Sequence, residues 1–333
     1  MSDSQSTSDW RPTADITTLK LRAEIMRRLR EWFYQQNILE VETPQLSNAA
    51  VTDPNIESFS VADRHLRTSA EFHLKRLLAA GSQDVYELGK VFRLDESGRY
   101  HNPEFTMLEW YRLGIDHLQL INEVESLLRY LYNNNALTVA RISYRDFWKK
   151  HTGIDLASGT CAQIASMLAS ERVEVPVSVI DSFDELQDLA MATVLADCMP
   201  DNSYSAIIDY PASQASLARI DSSNPHWPVA NRFEIYHGSV ELANGFYELT
   251  DADEQLARFH TDNNTRSSNN QMVRPIDYRF IDALNQGLPE CAGVAVGMDR
   301  LMMVLLDDIH SMSEVVSFNC CLLYTSPSPR DRG

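Results

Sequence analysis

The stretch Val85-Tyr-Glu-Leu-Gly-Lys-Val-Phe-Arg93, with Gly98-Arg-Tyr-His-Asn-Pro-Glu-Phe105 and Leu108-Glu-Trp-Tyr111 behind it, decides the fold. The first run alternates as a strand does, and Glu104–Tyr111 reads as its antiparallel return. The loop between them, roughly 10 residues long, is long for a hairpin and is therefore a candidate functional loop. Arg93 closes the first strand. Glu109 and Tyr111 lie two apart on the second, so they share a face. An arginine, acids and a phenol on one surface suit a zwitterionic substrate beside a phosphate. The same composition also occurs in an exposed hairpin with ordinary ion pairs.

Working outward, Leu21, Ile25, Leu29 and Phe33 recur every four residues, the apolar stripe of an amphipathic helix that Asn37 stops. Ile38, Val41 and Pro44 read as a strand ending in a turn. Glu71–Ala80 is a second helix, closed by Gly81, and Leu118–Tyr132 a third. Residues 150–205 read as short helices with a Val-rich break near 173–180, and are expected to form an insertion. Ala206–Tyr210, Arg232–His237, Ser239–Ala243 and Gly293–Gly297 are strand-like. Asp251–Phe259 and Asp299–Leu306 are helical, and 262–273 is expected to be a polar loop. Strands and helices do not alternate regularly, so the expected class is α+β, an antiparallel sheet flanked by helices.

Length and charge narrow the function. The chain has 333 residues, with 29 Lys plus Arg against 47 Asp plus Glu and a formal charge of −18. That argues against a general nucleic-acid binder, which needs a basic face. No apolar run approaches the roughly 20 residues that span a bilayer, and the N-terminus has no apolar signal-type segment. Cysteines at 161, 198, 291, 320 and 321 have no CxxC spacing, which suits a reduced cytoplasmic protein, with Cys291 a core filler. Residues 1–16, rich in Ser, Thr and Asp, are expected to be a mobile tail. Residues 17–319 are expected to be one domain, and 320–333 a Ser-, Pro- and Arg-rich tail foreign to it.

Two further clusters carry chemistry. Glu234 and Glu241 are carboxylates of the kind that hold Mg²⁺, although strict alternation separates Glu241 from Asn244 and Glu248 unless Gly245 bends the strand. Gly293-Val-Ala-Val-Gly-Met-Asp-Arg300 leaves one strand face bare, so a flat ligand can approach, with Arg300 at a strand-to-helix corner.

Together the three clusters resemble the signature motifs of class II aminoacyl-tRNA synthetases. Leu39-Glu-Val-Glu-Thr-Pro44 resembles the first motif, Phe92-Arg93 with the HNPEF stretch the second, and Gly293–Arg300 the third. Glu71–Leu77, HNPEFTMLEWY and ELANGFYELTD are similar to the lysyl-tRNA synthetase branch, over roughly residues 17–319. Only about 38 residues precede the first motif, too few for that branch's anticodon-binding barrel. The resemblance therefore points to the truncated lysyl-tRNA synthetase paralogues that attach (R)-β-lysine to elongation factor P. It implies an ATP- and Mg²⁺-dependent, AMP-forming ligase, homodimeric, with no tRNA partner.

The resemblance also implies roles for residues. Arg93 and Arg300, the catalytic pair, hold the α- and γ-phosphates of ATP. Phe105 and Arg300 sandwich adenine, with Asp95, His101, Asn102, Glu241, Leu242 and Gly297 around the nucleotide. Glu234 and Glu241 hold Mg²⁺. Ser69, Glu71, Glu109, Tyr111, Asn244, Glu248 and Ala295 surround a diamine substrate. Ser69 and Ala295 replace the Ala and Gly of the tRNA enzymes and would reshape the pocket towards the β-isomer. Arg93-Leu94-Asp95 stands where the family has Arg-Asn-Glu. The same residues also suit a short ligase activating α-lysine. Leu94-Asp95 is the feature that suits a non-catalytic regulatory protein.

Overall fold

The computed structural model describes residues 10–306 and 309–319. The expected 320–333 tail, Cys320, Cys321 and residues 1–9 of the expected N-terminal tail lie outside them. Within the described part, that tail ends earlier than residue 16. Thr13 N and Ala14 N donate to Ser317 O and Val316 O, and the Asp15 side chain caps the first helix by accepting from Thr18 N at 2.8 Å.

That helix, α1, spans Ile16–Gln35 and buries Ile25, Leu29, Trp32 and Phe33, while Leu21 stays exposed. Strand β1 (Leu39–Glu40) follows, then β2 (Leu46–Ser47), β3 (Ser60–Val61) and β4 (Arg64–Leu66), which form a small sheet of their own. Next come α2 (Glu71–Ala79), β5 (Val85–Phe92), β6 (Glu104–Leu113) and α3 (His117–Tyr132), the last with an Asp116/Gln119 capping box. Strand β7 (Val139–Ser143) leads to α4 (Tyr144–Thr152), α5 (Cys161–Ser170) and α6 (Phe183–Ala190), so the break near 173–180 falls between two helices. Strands β8 (Tyr204–Pro211), β9 (Ile220–Asp221), β10 (Val229–His237) and β11 (Val240–Tyr247) precede α7 (Ala252–Ser268) and α8 (Tyr278–Gly287). Strand β12 (Cys291–Gly297) and α9 (Met298–Leu305) complete the set.

The main sheet runs β1-β5-β6-β12-β11-β10-β8-β7, with β9 paired to β10. Its centre is antiparallel, as expected. Its two edges, β1 on β5 and β7 on β8, pair in parallel, so the sheet is mixed. One face carries Leu108, Trp110, Val294, Val296, Phe233 and Ile235 into a core with α1, α3 and α9. The other face is covered at one end by α2 and α8, around Tyr111 and Cys291. At its far end lie α4–α6, around Ile207, Tyr210 and Tyr236. Between these two covers the sheet is open.

The polar stretch 262–273 is not all loop, because α7 continues through it to Ser268. Its two buried polar side chains, Asn263 and Arg266, are satisfied internally. Arg266, fully buried, donates to Met272 O and Asp53 O and pairs with Glu57, and Asn263 exchanges hydrogen bonds with the Arg274 backbone. Asn263 and Arg266 thus belong to a buried network, while Asn264 and residues 267–270 stay exposed, and the chain beyond Ser268 is a connection as expected.

Asp299 at the start of α9 is fully buried, accepts from Thr106 N at 2.8 Å and pairs with Arg22 of α1 at 2.6 Å. Arg22→Ala strands that carboxylate without a cation. The expected loss is about 3 kcal/mol of unfolding free energy, read as a lowered urea midpoint at unchanged m-value.

Candidate active site

The strand registers collect the candidate residues on the open face. Glu87, Glu109, Ala295, Asn244 and Glu234 stand opposite one another across β5, β6, β12, β11 and β10. Two residues along, Val85, Tyr111, Gly293, Phe246 and Arg232 form the next row. Directly paired residues point the same way, so these rows make one surface. Glu241 joins it through a β-bulge. Ile235 pairs with Ala243 but Tyr236 with Glu241, which leaves Leu242 as the extra residue. The bulge at Leu242, not a bend at Gly245, brings Glu241 to the side of Asn244 and Glu234. Leu242 itself is buried in the core, so its side chain does not join this surface, where it was expected beside the nucleotide.

At the α2 end the rows meet an acidic pocket. Glu109, 2 % exposed, accepts from Ser69 Oγ at 2.8 Å and from Ala70 N at 2.7 Å, while Ser69 Oγ also accepts from Glu71 N. Glu109 thus fixes the turn that starts α2, and both its oxygens are engaged. Burial, outweighing those hydrogen bonds, pushes its carboxyl up to about 7. A Cβ on Gly293 would strike the Tyr111 ring and Glu248 Oε1, so only glycine lets these two side chains meet over β12. Burial drives the Tyr111 phenol well above its usual value and raises the Glu248 carboxyl, Lys75 pulling the latter back. Lys75 Nζ lies between Glu71 and Glu248, 2.5 Å from each.

In the middle of the face, Arg93 and Arg300 join one chain of contacts. Arg93 reaches Glu96 Oε1 at 3.0 Å, Glu96 lies 3.8 Å from His101 Nε2, and Arg300 donates to that nitrogen at 2.7 Å. Arginine cannot accept, so Nε2 does. Arg300 also donates to Tyr100 O and Glu241 O, each at 3.1 Å. Burial works against the Glu96 charge, but the Arg93 and Arg300 guanidinium groups hold its carboxyl below the usual value. Asp95, expected beside the nucleotide, is exposed on the turn, as is Leu94, and Glu96 takes the place between the arginines. Over Phe105 lies the Arg93 guanidinium, 5.3 Å from the ring centroid, rather than that of Arg300. Phe105, Met107, Val91 and Ala295 give an apolar floor there. Asn102 is buried and donates to Glu104 O, holding the loop. Gly297 is the N-cap of α9, three residues before Arg300.

Towards the insertion, a cavity of about 450 Å³ is lined by His101, Arg300, Glu241, Glu234, Arg232 and Asp188 among others. Glu234 accepts from the Tyr210 and Tyr236 hydroxyls at 2.7 and 2.6 Å and pairs with Arg232. Arg232 Nε also donates to Asn244 Oδ1 at 3.3 Å. Desolvation in the cleft and the adjacent Glu234 push the Glu241 carboxyl up, against the pull of Arg300. Two oxygen-donor side chains facing one cavity fit Mg²⁺, which takes one or two carboxylates and completes its shell with water and phosphate. No group of three or more His, Cys, Asp or Glu side chains of metal-holding geometry occurs among the described residues.

The structure thus sets Glu109, Tyr111, Glu234, Glu241, Asn244 and Ala295 on one sheet face, with Ser69, Glu71, Arg93, His101 and Arg300 brought to its edges, while Asp95 is exposed, Leu242 faces the core and Asn102 holds the loop. It adds Glu96, Lys75, Arg232, Tyr210 and Tyr236. Of these, Glu96 and Lys75 were legible as charges next to motif residues. The two tyrosines lie in strands whose pairing sequence spacing does not reveal.

Fold and site together define a class. The family model for class II tRNA synthetases (D, K and N) matches residues 4–320, and the chain belongs to that family. Within it, the chain is 43 % identical over 324 residues to an elongation factor P–(R)-β-lysine ligase of Vibrio cholerae, covering 93 % of this chain and 98 % of the relative. Ligases of the same name from Vibrio vulnificus, at 41 % over 321 residues, and Yersinia pestis, at 43 % over 322 residues, are similar over 93 % and 94 % of this chain and 98 % of their own length.

Tyr210→Phe removes one of the two hydroxyls that hold the Glu234 carboxylate. The expected cost is about 1.5–3 kcal/mol, read as a fall in thermal midpoint, and Tyr236→Phe should match it.

Proposed function

We propose that this chain activates (R)-β-lysine with ATP as an aminoacyl-adenylate and transfers it to a lysine ε-amine of elongation factor P. One observation carries the reading. A pocket walled by Glu71, Glu109 and Glu248 shares a sheet face with a cleft in which Arg93 and Arg300 meet through Glu96 and His101. Lysine isomers carry two ammonium groups and one carboxylate at neutral pH, so an acid pocket beside an arginine cleft orients the carboxylate towards phosphate. The Ala295 methyl, between Glu109 and Asn244 in the row, supports the β-isomer by filling the space a glycine would leave.

In the first step the substrate carboxylate oxygen attacks the α-phosphorus, and the bond to pyrophosphate breaks. No protein nucleophile takes part. Arg93 neutralises charge developing on the α-phosphate oxygens, and Arg300 holds the leaving end. Glu234 and Glu241 would hold Mg²⁺, which supplies further charge neutralisation on the phosphates. In the second step the deprotonated acceptor amine attacks the acyl carbon, AMP leaves with the bonding pair, and the nitrogen releases one proton to water.

Self-association through the first-motif segment suits the exposed Leu39 and Leu46. No helix among the described residues is long and apolar enough to cross a membrane, and the acidic balance suits a basic protein acceptor better than tRNA.

Mass spectrometry of elongation factor P incubated with ATP, Mg²⁺ and this protein tests the reading. A single β-lysyl adduct is expected with (R)-β-lysine, in clear excess over any adduct from α-lysine. Arg93→Ala should abolish both the adduct and β-lysine-dependent ATP–pyrophosphate exchange. No adduct from the wild-type chain overturns the assignment.

The pocket also sets a pH dependence. Burial raises the Glu109 and Glu248 carboxyls, so both bind protons more readily near neutrality than exposed glutamates do. An entering ammonium favours their ionised form and so releases protons. Affinity for the diamino acid should therefore tighten as pH rises from about 6 to 8, by up to about tenfold per unit for each proton released. Calorimetry in buffers of different ionisation heat should register that release.

A further inference from the structure

Helix α2 carries a fully buried ammonium into the acidic pocket, and the steps above give it no task. Lys75 is 0 % exposed, with Nζ 2.5 Å from Glu71 Oε1, 2.5 Å from Glu248 Oε2, and 5.7 Å from the Phe280 ring centroid. Glu71 stands one helical turn before Lys75, so the first pair is local. Glu248 arrives from the end of β11, where its N–H bonds Cys291 O. The second pair therefore joins elements far apart in the chain.

The clamp is incomplete in an informative way. Glu248 is 0 % exposed, and its Oε1 has no hydrogen-bond partner among the described residues. That oxygen lies above Gly293, in the space shared with the Tyr111 ring. An unsatisfied carboxylate oxygen inside protein is costly, and a donor on a bound guest would satisfy it. The charges agree. Glu71, Glu109 and Glu248 oppose one Lys75, so the ionised pocket has a net charge of −2, which two ammonium groups neutralise.

We infer that Lys75 is a positioning residue that clamps one oxygen of Glu71 and one of Glu248, so that the pocket accepts a guest with two ammonium groups. The inference rests on the diamino-acid reading given above. Burial alone would strip the proton from Lys75, but Glu248 and Glu71 hold it on. The other groups facing these carboxylates are Glu109 and Tyr111 from β6 and Cys291 from β12, with Arg67 acting on Glu109. Removing the ammonium leaves the two carboxylates to repel one another and Glu248 to take up a proton more readily. A doubly cationic guest then loses its anchors, whereas a singly cationic guest of the same length loses little.

Calorimetric titration of the full chain with (R)-β-lysine, L-lysine and norleucine tests this. Lys75→Met should weaken both diamino acids by at least about 30-fold and norleucine by less than about threefold. The pH at which diamino-acid binding tightens should move upward. Lys75→Arg should recover at least about tenfold of the loss. A Lys75→Met protein with the wild-type ratio of lysine to norleucine affinity overturns the inference, as does an equal loss for all three ligands. Should that variant not fold, Lys75→Gln decides by the same ratio. Absence of β-lysine-dependent ATP–pyrophosphate exchange in the wild-type chain would overturn the proposed activity instead, and leaves the binding ratio as the judge of Lys75.

Discussion

Everything at this site depends on one hydrogen-bonded register. The ladder that sets Glu109, Ala295, Asn244 and Glu234 in a row joins β6, β12, β11 and β10, which come from widely separated parts of the chain. A slip of one residue in any of them would turn its functional side chain into the opposite core. That core holds the register. Leu108, Trp110, Val294, Val296, Phe233 and Ile235 alternate with the site residues and bury against α1, α3 and α9. The apolar half of each strand thus specifies where the polar half points.

The charges are organised by the same economy. Each cation of the site already has a protein partner: Arg93 has Glu96, Arg300 has Glu241 and His101, Arg232 has Glu234, and Lys75 has two glutamates. On the proposed reading, the groups are oriented before a nucleotide arrives, and the reorganisation needed at the moment of reaction is small. Partner exchange, rather than creation of new charge, is what binding asks of them.

How much of this could be read from residues alone follows from which contacts are local. The amphipathic helices, the hairpin of β5 and β6 and the small-residue strand β12 were legible, because period and spacing carry them. The α+β class followed. Glu241 was legible as a metal-type acid, but its face was not. The bulge at Leu242 is decided by pairing with β10, which no local pattern announces. Motif position points to Asp95, but the turn after β5 leaves Asp95 exposed and sets Glu96 beside Arg93 and His101. The polar run at 262–273 misled for a related reason. Arg266 and Asn263 are satisfied by Glu57, Asp53 and Arg274, and partners so distant in sequence cannot be foreseen from composition.

Glu234 is held from outside its own strand row. Its two phenolic donors, Tyr210 and Tyr236, are members of the second core, built with Trp148, Ile164, Leu168 and Leu186 of the 144–199 region. That region contributes no residue to the acidic pocket, although Asp188 and Tyr144 line the cavity beside Glu234. A repacking among its aliphatic side chains would nevertheless tilt the tyrosine rings and re-aim the carboxylate they steer. The helical cap is thereby a remote adjustment screw, through which drift in an apparently passive layer can retune the reacting centre while every residue of the cleft stays the same.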